Sequence, residues 1–208
     1  MTLRVVNLGL PKTGTTTLAR ALRRAGLRTA DHRVRRRQTQ NAQLHHQFVA
    51  DLLYRGYFET GNPGFYFEDF DAISEMSVLR EGRSLWPQMD FGVIMALRAH
   101  NPDIKFLASN RDPFAMSQSM LAWSNLGTER LPASNIPGMP EGFGQTSIER
   151  MQWIEAHYAH LRAIFRDDDD FLEYDVADPA APDLISGFLE IPIKWWGKSN
   201  VNPANAVA

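Results

Sequence analysis

Apolar residues along the chain follow two alternating rhythms. Short apolar runs at 3–8, 27–30, 70–74, 104–109 and 171–174 predict buried strands. Between them, apolar residues fall three and four apart. Leu18, Ala19, Leu22 and Ala25 predict a helix over 15–25 that Gly26 stops. Segments 43–54, 87–100, 113–123, 147–165 and 183–189 predict further helices. Asn101-Pro102 ends the second of these, and Asp112-Pro113 supplies a cap and first turn for the third. Residues 54–70 are dense in aromatics, but Gly61, Pro63 and Gly64 break them into loop or turn. Residues 131–144 carry three prolines and three glycines and predict a mobile surface loop. The tail 195–208 reads as irregular, and no internal repeat is present.

Strands alternating with helices predict an α/β fold: a parallel sheet flanked by helices, in one domain over 1–208. Ligands on such sheets bind beyond the carboxyl ends of the strands. The segments 9–16 and 110–111 both fall at such ends.

The chain has 208 residues and a formal charge of −2, which argues against a general nucleic-acid surface. It has no cysteine, so disulfides, thiolate metal sites and cysteine nucleophiles are excluded. His157 and His160 are three apart but no third ligand is in sight, so no metal site is expected. The five histidines other than His32 read as helix-surface residues. No signal-peptide pattern opens the chain and no apolar run reaches a membrane span. The expectation is a cytoplasmic protein without a membrane span.

The chemistry concentrates in Pro11-Lys12-Thr13-Gly14-Thr15-Thr16-Thr17. Gly9 and Gly14 are spaced as in a nucleotide-binding P-loop, yet Thr15, not lysine, follows Gly14. The lysine sits inside the loop, at Lys12. A strand, a glycine-containing loop and a helix start still present backbone N–H groups and a helix dipole to an anion. The plainer alternative is a helix cap made of threonines.

The segment Gly-Leu-Pro-Lys-Thr-Gly-Thr-Thr-Thr-Leu at 9–18 resembles the 5′-phosphosulfate loop of the sulfotransferase family. The segment Lys-Phe-Leu-Ala-Ser-Asn-Arg-Asp-Pro-Phe-Ala-Met-Ser-Gln-Ser at 105–119 is similar to that family's 3′-phosphate segment, with Arg111 eight residues before Ser119. A weaker similarity covers 171–179 and 188–192. The resemblance implies a P-loop-like three-layer sandwich. It also implies transfer of a sulfuryl group from 3′-phosphoadenosine 5′-phosphosulfate to a hydroxyl of a small-molecule or carbohydrate acceptor. Residues 11–17 would hold the phosphosulfate, Arg111 and Ser119 the 3′-phosphate, and Lys12 the charge on the leaving oxygen. No metal is required. A P-loop kinase of a small metabolite and a non-catalytic nucleotide-binding module of the same fold are the competing readings.

The general base stays open. The Lys-x-His segment of cytosolic members is replaced by Asp71-Ala-Ile-Ser-Glu75, similar to a branch in which a carboxylate serves. Glu75 is the first candidate, followed by Asp71 and His32. The tryptophan that those members place near adenine is replaced by Thr17. Lys198 and the tail tryptophans Trp195 and Trp196 are candidates for the 3′-phosphate and for adenine. The aromatics of 54–70 and the basic run 33–37 are candidates for contact with the acceptor.

Overall fold

The computed structural model describes residues 3–197. Five strands form one parallel sheet: β1 (Val5–Asn7), β2 (Thr29–Ala30), β3 (Ala72–Ile73), β6 (Lys105–Asn110) and β7 (Phe171–Asp175), in the order β2-β3-β1-β6-β7. Each is short and apolar because both of its faces are covered. Alternate side chains point to opposite layers. Val5, Ala72 and Leu107 pack with Leu18, Leu22 and Ile185 of α1 (Thr15–Arg24) and α6 (Ala181–Leu189). Val6, Ile73, Phe106 and Ala108 pack beneath α2 (Val49–Thr60), α3 (Phe91–His100), α4 (Pro113–Leu121) and α5 (Ser147–Ile164). The result is the expected three-layer sandwich. Each leucine buried this way is worth roughly 1.5–3 kcal/mol relative to exposure.

Several boundaries differ from the sequence pattern. The helix expected at 43–54 begins six residues later, because Val49, Leu52, Leu53 and Gly56 form its buried stripe. Gly61, at φ 78°, ends it, so Tyr57 and Phe58 are helical rather than loop residues. A two-stranded antiparallel hairpin, β4 (Val78–Arg80) and β5 (Arg83–Leu85), was not foreseen. It turns on Glu81 and Gly82, both in the left-handed region.

Residues 131–144, expected as a mobile loop, are irregular but tied to the body. Leu131, Ile136 and Met139 are buried, and Ile136 and Met139 pair with each other. Trp153 Nε1 donates to the Pro137 carbonyl at 2.9 Å, and the buried Arg150 donates to Gly144 and Gln145 carbonyls at 2.7 and 2.8 Å. Among the described residues, no helix is long and apolar enough to cross a membrane.

Candidate active site

The loop between β1 and α1 is held open by two unusual backbone positions. Gly14 caps α1 in the left-handed conformation (φ 82°) without a side-chain cap. Lys12 is itself left-handed (φ 78°), which a non-glycine residue adopts only where its surroundings require it. The first turn of α1 carries no acidic residue, so its N–H groups face the cavity unneutralised.

The seven loop residues divide by role. Pro11, Lys12, Gly14, Thr15 and Thr16 line a large cavity together with Arg111, Ser119, Glu75 and His32. Thr13 and Thr17 do not. The Thr13 hydroxyl donates to the Leu10 carbonyl at 2.6 Å and meets Ser109 Oγ at 2.8 Å. The Thr17 hydroxyl donates to the Gly197 carbonyl at 3.0 Å. The Thr17 hydroxyl, expected as a donor to the anion, is thus bonded within the fold, as is that of Thr13.

Arg111 follows the last residue of β6 and is exposed; Ser119 lies on α4. The Asp112 side chain accepts the Ala115 N–H at 2.8 Å and starts that helix, with Pro113 at its first turn. Lys12 Nζ lies 3.6 Å from the centroid of the Trp123 ring, a cation–π contact. Burial first, and then the neighbouring Arg111, bring the Lys12 ammonium down to about 8 against the opposing pull of Glu75.

The three candidate bases are not equivalent. Glu75 is buried and faces the cavity, and its Oε1 accepts the Ser77 N–H (3.1 Å) and the Ser77 hydroxyl (2.5 Å). Burial raises its pKa, and hydrogen bonds from Ser77 and the Thr15 hydroxyl pull the other way. His32 also lines the cavity, and its Nδ1 lies 3.1 Å from the Ser77 carbonyl. Burial lowers its pKa from the usual value. Asp71 precedes β3, at the opposite end of the sheet from the loop. Its carboxylate is bonded to the Arg28 side chain (3.0 Å) and backbone (2.8 Å), so it is not available as a base.

The expected aromatic contacts lie elsewhere too. No aromatic of 54–70 lines the cavity; Trp86 and Trp123 do. Trp195 lies beneath Arg20 and Arg24, and Trp196 packs edge-on against Tyr174. Lys198 lies outside the described residues.

A family model described as a sulfotransferase domain matches residues 4–193. The chain belongs to that family. Among curated proteins no match is found. An unliganded sugar kinase from Janibacter sp. HTCC2649 is similar in structure, with 16% identity and a TM-score of 0.44, over 92% of this chain and 96% of the kinase. That likeness is too remote to bear on chemistry.

The sulfotransferase domain also uses residues that the sequence reading passed over. Asn7 ends β1 and is wholly buried. Its Nδ2 donates to the Ser74 carbonyl (2.9 Å), and its Oδ1 accepts from Ser109 (3.0 Å) and Gly9 (3.3 Å). Tyr158 donates to the Ser109 carbonyl at 2.7 Å and lies 3.4 Å from the Leu10 nitrogen. His157, read as a surface residue, is buried with its Nε2 2.9 Å from the Leu8 carbonyl. A polar asparagine between Val6 and Leu8 was the one available signal. The α5 residues gave none, because only the tertiary fold buries them.

Proposed function

We propose that the chain transfers a sulfuryl group from 3′-phosphoadenosine 5′-phosphosulfate to an acceptor hydroxyl. One observation carries this reading. Two cationic sites supplied by neighbouring strands, Lys12 at the α1 N-terminus and Arg111 with Ser119 after β6, line the same cavity. That pairing suits a donor anionic at both ends. A kinase lysine after Gly14 is absent from the sequence.

In the transfer, the acceptor oxygen bonds to sulfur as the bond from sulfur to the phosphate oxygen breaks. Lys12 and the α1 N–H groups stabilise charge on the leaving oxygen of adenosine 3′,5′-bisphosphate. The acceptor proton passes to Glu75, which couples to Lys12 electrostatically and bonds to Thr15 beside it. A second assignment has support as well. A carbonyl can only accept, so the Ser77 contact puts a proton on His32 Nδ1 and leaves Nε2 basic in the neutral ring.

Calorimetry tests the donor. Adenosine 3′,5′-bisphosphate should bind at least tenfold tighter than AMP or ATP without magnesium, and Arg111→Ala should remove most of that advantage. Equal binding of AMP would remove the 3′-phosphate assignment, and strict magnesium dependence would favour the kinase reading. Labelled-donor turnover then separates the bases: Glu75→Gln should lose ~10²–10⁴ in rate with bisphosphate affinity kept. A loss confined to His32→Gln would transfer the role to His32.

A further inference from the structure

The cavity has more room and more positive charge than a donor site requires. Its volume is about 1380 Å³, whereas single small-molecule sites run from about 300 to 1,000 Å³. Ten Lys and Arg side chains line it against two carboxylates, Asp31 and Glu75, in a chain whose formal charge is −2. The positive charge is therefore concentrated here.

Beyond Lys12, Arg111 and the arginines of α1, the guanidinium groups come from three separate segments. Arg33 follows β2, Arg80 ends β4, and Arg130 closes the turn after α4. Nearby carboxylates do not neutralise them one for one. Glu81 is shared between Arg33 (2.6 Å) and Arg80 (3.6 Å). Asp31 is likewise shared by Arg23 (2.8 Å) and Arg35 (3.2 Å). Arg130 donates to neutral acceptors, the Leu79 carbonyl at 2.7 Å and Asn125 Oδ1 at 2.9 Å. Burial and the neighbouring Arg80 both weaken its hold on its proton. The three guanidinium groups thus have one carboxylate, Glu81, between them. Arg33, Arg80 and Arg130 converge on a concave wall that Trp86 and Trp123 also line.

We propose that the wall formed by Arg33, Arg80 and Arg130 binds the acceptor, and that the acceptor is a hydroxyl compound bearing a further anionic group. Phosphate, sulfate and carboxylate share the chemistry that a guanidinium fork grips, with two parallel N–H donors to two oxygens. The field of the surplus charge would draw such a molecule into the cavity. This inference rests on the sulfuryl-transfer reading, which assigns Lys12, Arg111 and Ser119 to the donor.

The test uses the whole chain saturated with adenosine 3′,5′-bisphosphate, at low salt. Probes are glucose, glucose 6-phosphate, glucose 6-sulfate, glucuronate, and free phosphate and sulfate ions. At least one anionic probe should bind tenfold or more tighter than glucose, and the ranking of the three anions identifies the preferred group. Arg80→Gln, at an exposed position, and Arg130→Gln should each lower that affinity about tenfold while bisphosphate affinity is kept. Retained bisphosphate affinity also shows that the Arg130 variant folds. If the bisphosphate binds but every anion binds no better than glucose, the acceptor proposal falls and sulfuryl transfer stands. Anion binding untouched by both substitutions overturns it equally. Failure of the bisphosphate itself would overturn both.

Discussion

The Ser109 backbone N–H donates to Asn7 Oδ1 at 3.0 Å, joining the carboxyl ends of β6 and β1 through a buried side chain. The same amide reaches the Ser74 carbonyl beyond β3 and accepts the Gly9 N–H. Three strand ends that carry cavity loops are thus fastened by one residue that does not line the cavity. Asn7→Ala would strand buried donors and acceptors. It should lower stability by on the order of 3 kcal/mol in urea denaturation. It should also weaken bisphosphate binding at a temperature where the variant is still folded. A variant with stability intact would show that the clamp is dispensable.

The two loop glycines should differ in how they can be rescued. A Cβ on Gly9 would lie 2.4 Å from the Ser109 carbonyl oxygen, and backbone cannot step aside cheaply. Gly9→Ala should therefore fold poorly in every background. A Cβ on Gly14 would meet Val176 Cγ2 at 2.3 Å, in a left-handed conformation that costs alanine about 1–2 kcal/mol. Adding Val176→Ala to Gly14→Ala should recover the steric part and leave the backbone part. A double-mutant cycle by thermal denaturation reads the coupling, and strict additivity would contradict the contact.

The pH profile should carry the mark of Lys12. Its ammonium is held down to about 8 by burial and by Arg111. If the charged form is needed, kcat/KM falls as pH rises through that region, because this ratio reports the free protein. Lys12→Arg keeps a charge at all these pH values, so whatever activity it retains should lose the alkaline limb. An unchanged limb would assign the titration to another group.

Stability should depend on pH through His157. Its Nε2 faces a carbonyl and so carries the proton; Nδ1 is buried without a hydrogen-bond partner. Burial depresses the folded pKa from 6.5 to about 4. Between those values the unfolded chain binds more protons than the folded one. The stabilisation is complete above 6.5 and is lost as pH falls toward 4, by about 3 kcal/mol in all. Denaturation midpoints at several pH values should show this slope in the native chain and a shallower one in His157→Gln. Equal slopes would exclude His157 as the source.

What the sequence made legible follows from how local each signal was. The turn from β1 into α1 was plain because Gly14, Lys12 and the threonines stand together between an apolar run and an amphipathic one. The turn from β6 into α4 was marked by Asp112-Pro113. The β4–β5 hairpin was not legible: each strand has three residues, too few for an alternation to register, and Glu81-Gly82 is not among the commoner hairpin turns. The division of labour among Thr13, Thr15, Thr16 and Thr17 was hidden as well. Which hydroxyls turn toward Leu10 or Gly197 depends on partners up to 180 residues away.

Each strand of the sheet sends one segment to the cavity wall, and the segments differ in how they are anchored. Those after β1 and β6 are locked by the buried side chains of Asn7 and Tyr158. The segment after β2 and the hairpin after β3 are joined by a partly exposed ion pair, Arg33 with Glu81. The molecule therefore resembles an instrument with a fixed grip and an exchangeable jaw. Val34, Val78 and Leu79 hold that jaw to the core while its charged residues Arg35, Arg37, Arg80 and Glu81 are exposed, so a change of clientele at those charges requires no change of chassis.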